Sequence, residues 1–190
     1  IAADSSGVIV TGYVDFDYSP FTYKAITQKW DPNGNQLWTE INETETHSDN
    51  HEVAIHNGSA YVAGSVGDPA DARIQKRNAT TGDLQWEQVY TTTSDLEDDG
   101  LGITADDTGV YATGYTTRDS VNGVSTNAWL RKIGFDGMEI LYRNYNGESR
   151  GDDKGEKIVR GLDNFLKVVG RTENSDGTLD TFVGSFCNPE

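Results

Sequence analysis

Acidic side chains stand in front of three apolar segments that have matching positions along the chain. Asp49, Glu97 and Asp153 each lie six residues before an apolar residue within such a segment. Carboxylates brought together by a repeat repel one another unless water or a cation separates them, and hard oxygen ligands suit Ca²⁺. We therefore predict a candidate Ca²⁺ site formed by these residues and their neighbours: Asp49, Glu97, Asp98, Asp99, Asp152 and Asp153. The alternative interpretation is a set of solvated, turn-forming acids on an acidic surface.

All three histidines of the chain lie close together. His47, His51 and His56 fall within ten residues of one another, beside Asp49 and Glu52. The spacing from His51 to His56 is one residue longer than in the zinc-protease motif, which needs both histidines on one face of a helix. On a strand, residues five apart point to opposite faces. We interpret the three as surface loop histidines rather than zinc ligands.

No arrangement of nucleophile, base and acid is recognisable. The chain lacks a G-x-S-x-G sequence, which in hydrolases presents the serine on a sharp turn. The histidines all belong to one short stretch, so they cannot be combined convincingly with a serine or with Cys187. We predict no catalytic residues, no enzymatic activity, and no cofactor other than the candidate Ca²⁺ ion.

Three sequons and one cysteine bear on the cellular compartment. Asn42, Asn57 and Asn78 each begin an Asn-x-Ser/Thr triplet in a predicted loop or turn, where a glycan is tolerated. Cys187 is the only cysteine, so the alternatives are a free thiol, a buried thiol or a disulfide to a second chain. These features favour an exported glycoprotein.

Aromatic residues concentrate in one polar loop. The segment 13–23 contains Phe16, Tyr18, Phe21 and Tyr23, which we predict to form a binding loop for a sugar or a protein. Loops of differing length on one face of a repeat array commonly carry the binding surface. The alternative is that these aromatic side chains cover the edge of the first repeat.

The elements that must position these residues form a repeat of about 50 residues. Each of four apolar runs ends in a glycine: Gly12, Gly64, Gly114 and Gly170. A short apolar strand and a turn precede each run, and a third strand follows it, with Lys or Arg predicted to point outward in the first three repeats. A fourth strand carries Trp38, Trp86 and, in register, Leu141. The fourth repeat stops before this strand.

Four short antiparallel strands per repeat predict an all-β fold built of β-propeller blades, about three and three-quarter repeats in a single domain. The predicted blades span 1–50, 51–98, 99–154 and 155–190. Stacked blades bury both apolar faces, with the tryptophans packing between neighbours. A β-sandwich and a strand solenoid are the alternatives. We expect a fragment of a larger propeller; the other candidates are a four-bladed ring with one short blade and an open stack completed by another chain.

Several stretches resemble known propeller repeats. The sequences GVYATGYTT, KWDPNGNQLW and RGDDKGEKIV resemble the SBBP repeat of bacterial seven-bladed β-propellers, and the resemblance covers nearly the whole chain. The sequence NATTGDLQW at 78–86 is similar to the repeat of quinoprotein (PQQ) propellers, in which a TG-x-x-x-W element docks one blade on the next. The resemblance implies a propeller fold and an exported protein; it implies no particular activity.

Charge limits the classes of partner. The 190 residues include 15 Lys and Arg against 31 Asp and Glu, for a formal net charge of −16. This balance excludes a nucleic-acid binder that works through a basic face, and no apolar run is long enough to span a membrane. We predict a non-catalytic extracellular or cell-surface module that binds a protein or glycan, or self-assembles, through its blade loops. The alternatives are part of a quinoprotein-like enzyme and a structural subunit completed by strand exchange.

Overall fold

The chain folds into β-strands only. The computed structural model describes residues 1–18, 21–45, 47–91, 96–120, 123–147, 151–161 and 165–187, and in these ranges there is no helix, hence none that could cross a membrane. The strands form four separate antiparallel sheets, each a meander of consecutive strands. The predicted all-β architecture of blade-like sheets is confirmed.

Three sheets have four strands and the last has three. In chain order, the strands of the first and second sheets are β1 (Ala2–Asp4), β2 (Gly7–Tyr18), β3 (Phe21–Trp30), β4 (Gln36–Ile41), β5 (Ser48–His56), β6 (Ser59–Val66), β7 (Asp71–Asn78) and β8 (Leu84–Tyr90). The third and fourth sheets comprise β9 (Asp98–Asp106), β10 (Gly109–Ser120), β11 (Gly123–Ile133), β12 (Glu139–Tyr145), β13 (Asp153–Arg160), β14 (Phe165–Glu173) and β15 (Leu179–Cys187). We refer to the four sheets as blades 1 to 4.

Successive blades stack through their first strands. Strand β5 packs against the first three strands of blade 1, β9 packs against β5, β6 and β7, and β13 packs against β9, β10 and β11. No packing of this extent joins blade 1 to blade 4 among the described residues. The blades therefore form a stack that is not closed into a ring by these strands.

The apolar core lies between the blades. One buried cluster joins blades 1 and 2 around Ile9 and Val53, and a second joins blades 2 and 3 around Ile74 and Ile103. A third cluster, which contains Ile158, joins blades 3 and 4. Each cluster contains side chains from two neighbouring blades, so each blade depends on its neighbours for burial.

Tryptophans dock blade 1 on a turn of blade 2, and blade 2 on a turn of blade 3. The indole of Trp38 lies against Gly82, and the indole of Trp86 lies against Gly137. Trp86 Nε1 also donates a hydrogen bond to the backbone oxygen of Phe135, at 3.0 Å. Strand pairing places Leu141 at the equivalent position of blade 3, so the predicted packing of this column between neighbours is confirmed for blades 1 and 2.

The prediction that the cations of the third strands point outward was wrong at several positions. Lys29, Lys132 and Arg73 are almost fully buried. Lys29 Nζ donates to the backbone oxygen of Ala79 in blade 2 at 2.7 Å, and Lys76 Nζ makes the equivalent bond to blade 3 at 2.9 Å. Strand alternation shows which side chains share a face, but the neighbouring blade covers the polar face as well.

We expect Trp86→Ala to lower the free energy of unfolding by about 2 to 4 kcal/mol, because it removes the indole that fills the junction between blades 2 and 3. Urea denaturation followed by circular dichroism measures this loss. Leu84→Ala is the matched control on the same strand, since Leu84 is half exposed; its effect should stay within about 0.5 kcal/mol. Equal losses in the two variants would contradict the docking role of Trp86.

Candidate functional site

The first strands of blades 2 to 4 share a β-bulge at the same position. Asn50 pairs with Gly64 and Glu52 pairs with Ala63, so His51 is an extra residue in β5. Leu101 and Glu156 are the extra residues at the corresponding points of β9 and β13. A bulge bends its strand and redirects a side chain.

The repeated glycine of the second strand makes this bulge sterically feasible. A Cβ atom on Gly64 would collide with the backbone oxygen of Asp49, and one on Gly114 would collide with that of Asp99. Gly170 stands in the same relation to the backbone of blade 4, whereas Gly12 of blade 1 has open space around its Cβ position. The close approach of first and second strands therefore accounts for the glycine in three of the four repeats.

The bulge brings an imidazole between two carboxylates at the junction of blades 2 and 3. His51 Nε2 lies 2.8 Å from Asp99 Oδ2 and 3.5 Å from Asp49 Oδ2. One potential ligand atom from each of the three residues lies within 4.8 Å of the others. The Ser65 hydroxyl donates to the other oxygen of Asp49. We call Asp49, His51 and Asp99 the Asp-His-Asp cluster.

The two carboxylates of the cluster are largely shielded from water whereas His51 is partly exposed, and the three charges perturb one another. Burial alone lowers the pKa of His51, but the hydrogen bond to Asp99 and the charges of Asp99 and Asp49 outweigh it and raise that pKa above its ordinary value. Burial raises the pKa of Asp99, and its bond with His51 only partly opposes this effect. Asp99 Oδ1 is buried and has no hydrogen-bond partner in the part of the chain that the structure describes.

Burial and the negative charge around the cluster raise the pKa of two tyrosines. Burial raises the pKa of Tyr23, and nearby carboxylates that include Asp49 and Asp99 raise it further. Burial, followed by the charge of Asp99 and neighbouring acids, also raises the pKa of Tyr115. A phenolate is disfavoured close to negative charge, so both rings remain neutral phenols across the physiological pH range.

Blade 4 places a cation where blades 2 and 3 place acids. Lys154 pairs across its sheet at the position equivalent to Asp49 and Asp99. Its Nζ lies 3.7 Å from the centre of the Tyr115 ring, an attractive cation–π arrangement. Burial and the charge of Arg171 lower the pKa of Lys154.

Aromatic rings border the cluster on the side of blade 1. Tyr13 and Tyr23 contact edge to face with centroids 5.8 Å apart, and Tyr23 contacts His47 at 5.2 Å. Tyr13 is 64% exposed. Of the four aromatic residues named for the predicted binding loop, the structure describes the side chain of Tyr23, whereas those of Phe16, Tyr18 and Phe21 lie outside the described part. The segment predicted as a loop is mostly strand, because β2 extends to Tyr18 and β3 begins at Phe21.

The strand register changes the alignment behind the predicted Ca²⁺ site. Asp49 aligns with Asp99 and Lys154, not with Glu97 and Asp153 as the sequence spacing suggested. The reason is that the alignment used the ends of the apolar segments, which do not fall at equivalent positions of the three strands.

The six predicted Ca²⁺ ligands have different surroundings. Asp49 and Asp99 belong to the Asp-His-Asp cluster. Asp98 is buried and accepts hydrogen bonds from Thr116 Oγ1 and Thr117 N at 2.8 Å. Glu97 is exposed, and Asp152 accepts a hydrogen bond from Thr126 N. Asp153 is fully buried and accepts a hydrogen bond from Gly147 N. Ca²⁺ binding itself stays a prediction.

Sequence reasoning did not single out His51 as part of a site. The structure places it on strand β5, so the zinc-protease motif, which needs a helix, is not formed. His56 lies at the opposite end of β5, 3.2 Å from Asp107 and stacked on Phe135. The sequence signal that could have drawn attention to His51 is the repeated glycine Gly64, which pairs with the preceding residue, Asn50.

The predicted glycosylation sites lie in or beside turns. Asn57 is exposed in the β5–β6 turn, with a φ of 47°. Asn42 follows β4, and its Oδ1 accepts a hydrogen bond from Thr44. Asn78 is partly buried, and its Oδ1 accepts bonds from the backbone of Thr80 and Thr81. The Cys187 side chain lies outside the described part of the chain.

Comparison with known proteins adds no family to these observations. Neither a scan against protein-family models nor a search of the curated proteins found a match to this chain. The similarity to SBBP and quinoprotein repeats therefore stays a prediction from the sequence.

The raised pKa of His51 predicts a specific pH dependence in chelator-treated protein. The stabilisation should be complete below the unfolded pKa of about 6.5 and should be lost as the pH rises through the higher folded pKa. Urea titrations between about pH 6 and pH 9 should show the free energy of unfolding falling by at most about 1.4 kcal/mol per pH unit from this group. His51→Gln should remove that decrease.

His56→Gln is the matched control at the opposite end of β5. Most of the decrease should remain in this variant, because the carboxylate that His56 faces, Asp107, is 86% exposed and is screened by water and salt. An unchanged pH dependence in His51→Gln would contradict the electrostatic account of the cluster.

Proposed function

We propose that this chain is a non-catalytic β-propeller module of SBBP-type repeats that binds a partner through one end of its blades. This is the end at which the second and third strands of each blade connect, and we call it the hairpin end. The proposal rests on one observation. The Asp-His-Asp cluster of blades 2 and 3 and the exposed ring of Tyr13 in blade 1 lie towards the same end of the stack. The Asp-His-Asp cluster lies next to Tyr23, and the β2–β3 and β10–β11 hairpins are the longest of the fold.

The charge of the hairpin end favours a protein partner with a basic segment. Asp49, Glu97, Asp68 and Asp99 all act on Tyr23, and the chain as a whole carries a formal charge of −16. Such a field accelerates association with cations and gives a binding rate that falls with ionic strength. Exposed tyrosines add cation–π contacts to Lys or Arg. Self-assembly and glycan binding are the other outcomes of the test.

A labelled eight-residue oligolysine peptide is the probe for this proposal. Fluorescence anisotropy should show binding that weakens as salt is raised. Tyr13→Ala should weaken it about two- to fivefold, the worth of one exposed cation–π contact. Asp68→Asn should also weaken binding, because Asp68 is exposed at the hairpin end.

Asp107→Asn is the matched control, since it makes the same change in charge at the opposite end of the blades. It should leave the affinity close to that of the unmodified protein. Equal losses in Asp68→Asn and Asp107→Asn would mean that only net charge matters and would overturn the proposal. Binding to a glycan array with no affinity for the peptide would replace the basic partner with a carbohydrate.

We place the module outside the cell or at its surface. Support comes from the sequon at Asn57, which lies in an exposed turn, and from the one at Asn42 at the end of a strand. We expect Asn57 to carry a glycan in the natural protein, because it is the one of the three sequon asparagines that is exposed. An intact mass that does not change on deglycosylation would contradict this localisation.

A second candidate is a structural subunit that pairs with a neighbour. The outer edge of β15 has no strand beside it among the described residues, and Leu179 and Val183 on it are 56% and 66% exposed. A cleft of about 420 Å³ lined by Trp129, Val168 and Phe182 opens beside this edge. An unpaired edge favours strand addition. Native mass spectrometry of the unmodified protein and of Val183→Lys tests this: a dimer lost in the variant supports it, and a monomer contradicts it.

A further inference from the structure

We propose that the Asp-His-Asp cluster binds one divalent transition-metal ion of the Zn²⁺ class at the junction of blades 2 and 3. Its ligands would be one oxygen each from Asp49 and Asp99 and Nε2 of His51. The inference goes beyond the proposed function, because an ion can occupy this site whether or not a partner binds at the hairpin end.

The spacing of the three ligand atoms fits such an ion. Bonds of about 2.0 to 2.2 Å with angles between about 90° and 110° put two ligand atoms about 3.0 to 3.5 Å apart. His51 Nε2 already lies 2.8 and 3.5 Å from the two carboxylate oxygens. Two of the three distances between ligand atoms are therefore at or close to this range, and the oxygens of Asp49 and Asp99 lie within 4.8 Å of each other.

The surroundings hold the ligands in place. The bulge at His51 fixes its backbone between Asn50 and Glu52, which both pair with β6. The hydroxyl of Ser65 donates to Asp49 Oδ1, which leaves Oδ2 to face the imidazole. Hydrogen bonds of this kind orient metal ligands and strengthen binding.

A buried oxygen in the cluster has no hydrogen-bond partner among the described residues. This oxygen, Asp99 Oδ1, is inaccessible to solvent, and the side chain as a whole is only 13% exposed. An unpaired buried acceptor is unfavourable, and carboxylates bind metal ions through one or both oxygens. A bound cation beside Asp99 would offset the cost of burying this charge.

The donor set selects the class of metal. Ca²⁺ and Mg²⁺ prefer oxygen ligands throughout, whereas imidazole suits Zn²⁺ and its neighbours in the first transition row. Three protein ligands leave a fourth position of a tetrahedral ion open to water, and His51 is one-third exposed, so solvent reaches the cluster. The nearby cation Lys157 pairs with Glu52 at 2.9 Å rather than with the cluster carboxylates.

Isothermal titration of the chelator-treated full chain with ZnCl₂ tests the proposal. We expect one ion per chain and weaker binding of CaCl₂. His51→Gln and Asp99→Asn should each lower the Zn²⁺ affinity by at least about tenfold. Replacing even a residue that only hydrogen-bonds to a metal ligand lowers metal affinity by about that factor. The matched controls His56→Gln and Asp107→Asn make the same chemical changes at the opposite end and should keep the affinity.

A second measurement covers the case in which a ligand variant does not fold. Nitrogen-detected NMR of the unmodified protein should show one histidine ring shifting on addition of Zn²⁺, and that signal should persist in His47→Gln and His56→Gln. No Zn²⁺ binding, tighter binding of Ca²⁺ than of Zn²⁺, or a shift that disappears in His56→Gln would each overturn the proposal. None of these readouts involves a partner, so they are independent of the peptide experiment.

Discussion

The fit between a bulged first strand and a glycine on the second strand is the constraint on which the arrangement of blades 2 to 4 depends. The glycine lets the two backbones approach where a Cβ would collide, and the extra residue bends the first strand. In blade 2 that extra residue is His51, so the feature that shapes the blade also delivers the imidazole to Asp49 and Asp99. Fold and candidate site have a common steric cause.

Contacts of a repeating type then fix each blade on the next one. Trp38 packs on a turn glycine of blade 2, and Trp86 packs on a turn glycine of blade 3. Lys29 and Lys76 donate hydrogen bonds to backbone oxygens of blades 2 and 3, respectively. A tryptophan that packs on a glycine of the next blade limits the rotation of one blade against the other. The buried ammonium of Lys29 needs an acceptor at a defined place. The hairpin end gathers charged groups from separate blades because these contacts set the order and spacing of the stack.

The sequence could predict the blades but not their exact pairing. Glycines and tryptophans that recur about every 50 residues predict the blades. The spacing alone also shows that Leu141 is equivalent to Trp86. The apolar segments end at non-equivalent positions of the first strands, so Glu97 was aligned with Asp49 although Asp99 pairs in that position. Alternation along a strand also says nothing of what covers each face, which is why the burial of Lys29 and Arg73 could not be foreseen.

The most direct test of this account compares Gly64→Ala with Gly12→Ala, the same change at equivalent places of blades 2 and 1. The free energy of unfolding, measured in urea, should fall by at least about 2 kcal/mol for Gly64→Ala, since the new methyl group meets the backbone of β5. Gly12→Ala has open space around the new Cβ and should leave stability unchanged or raise it by up to about 1 kcal/mol. Equal stability of the two variants would contradict the claim that the glycine–bulge contact builds the blade and its site.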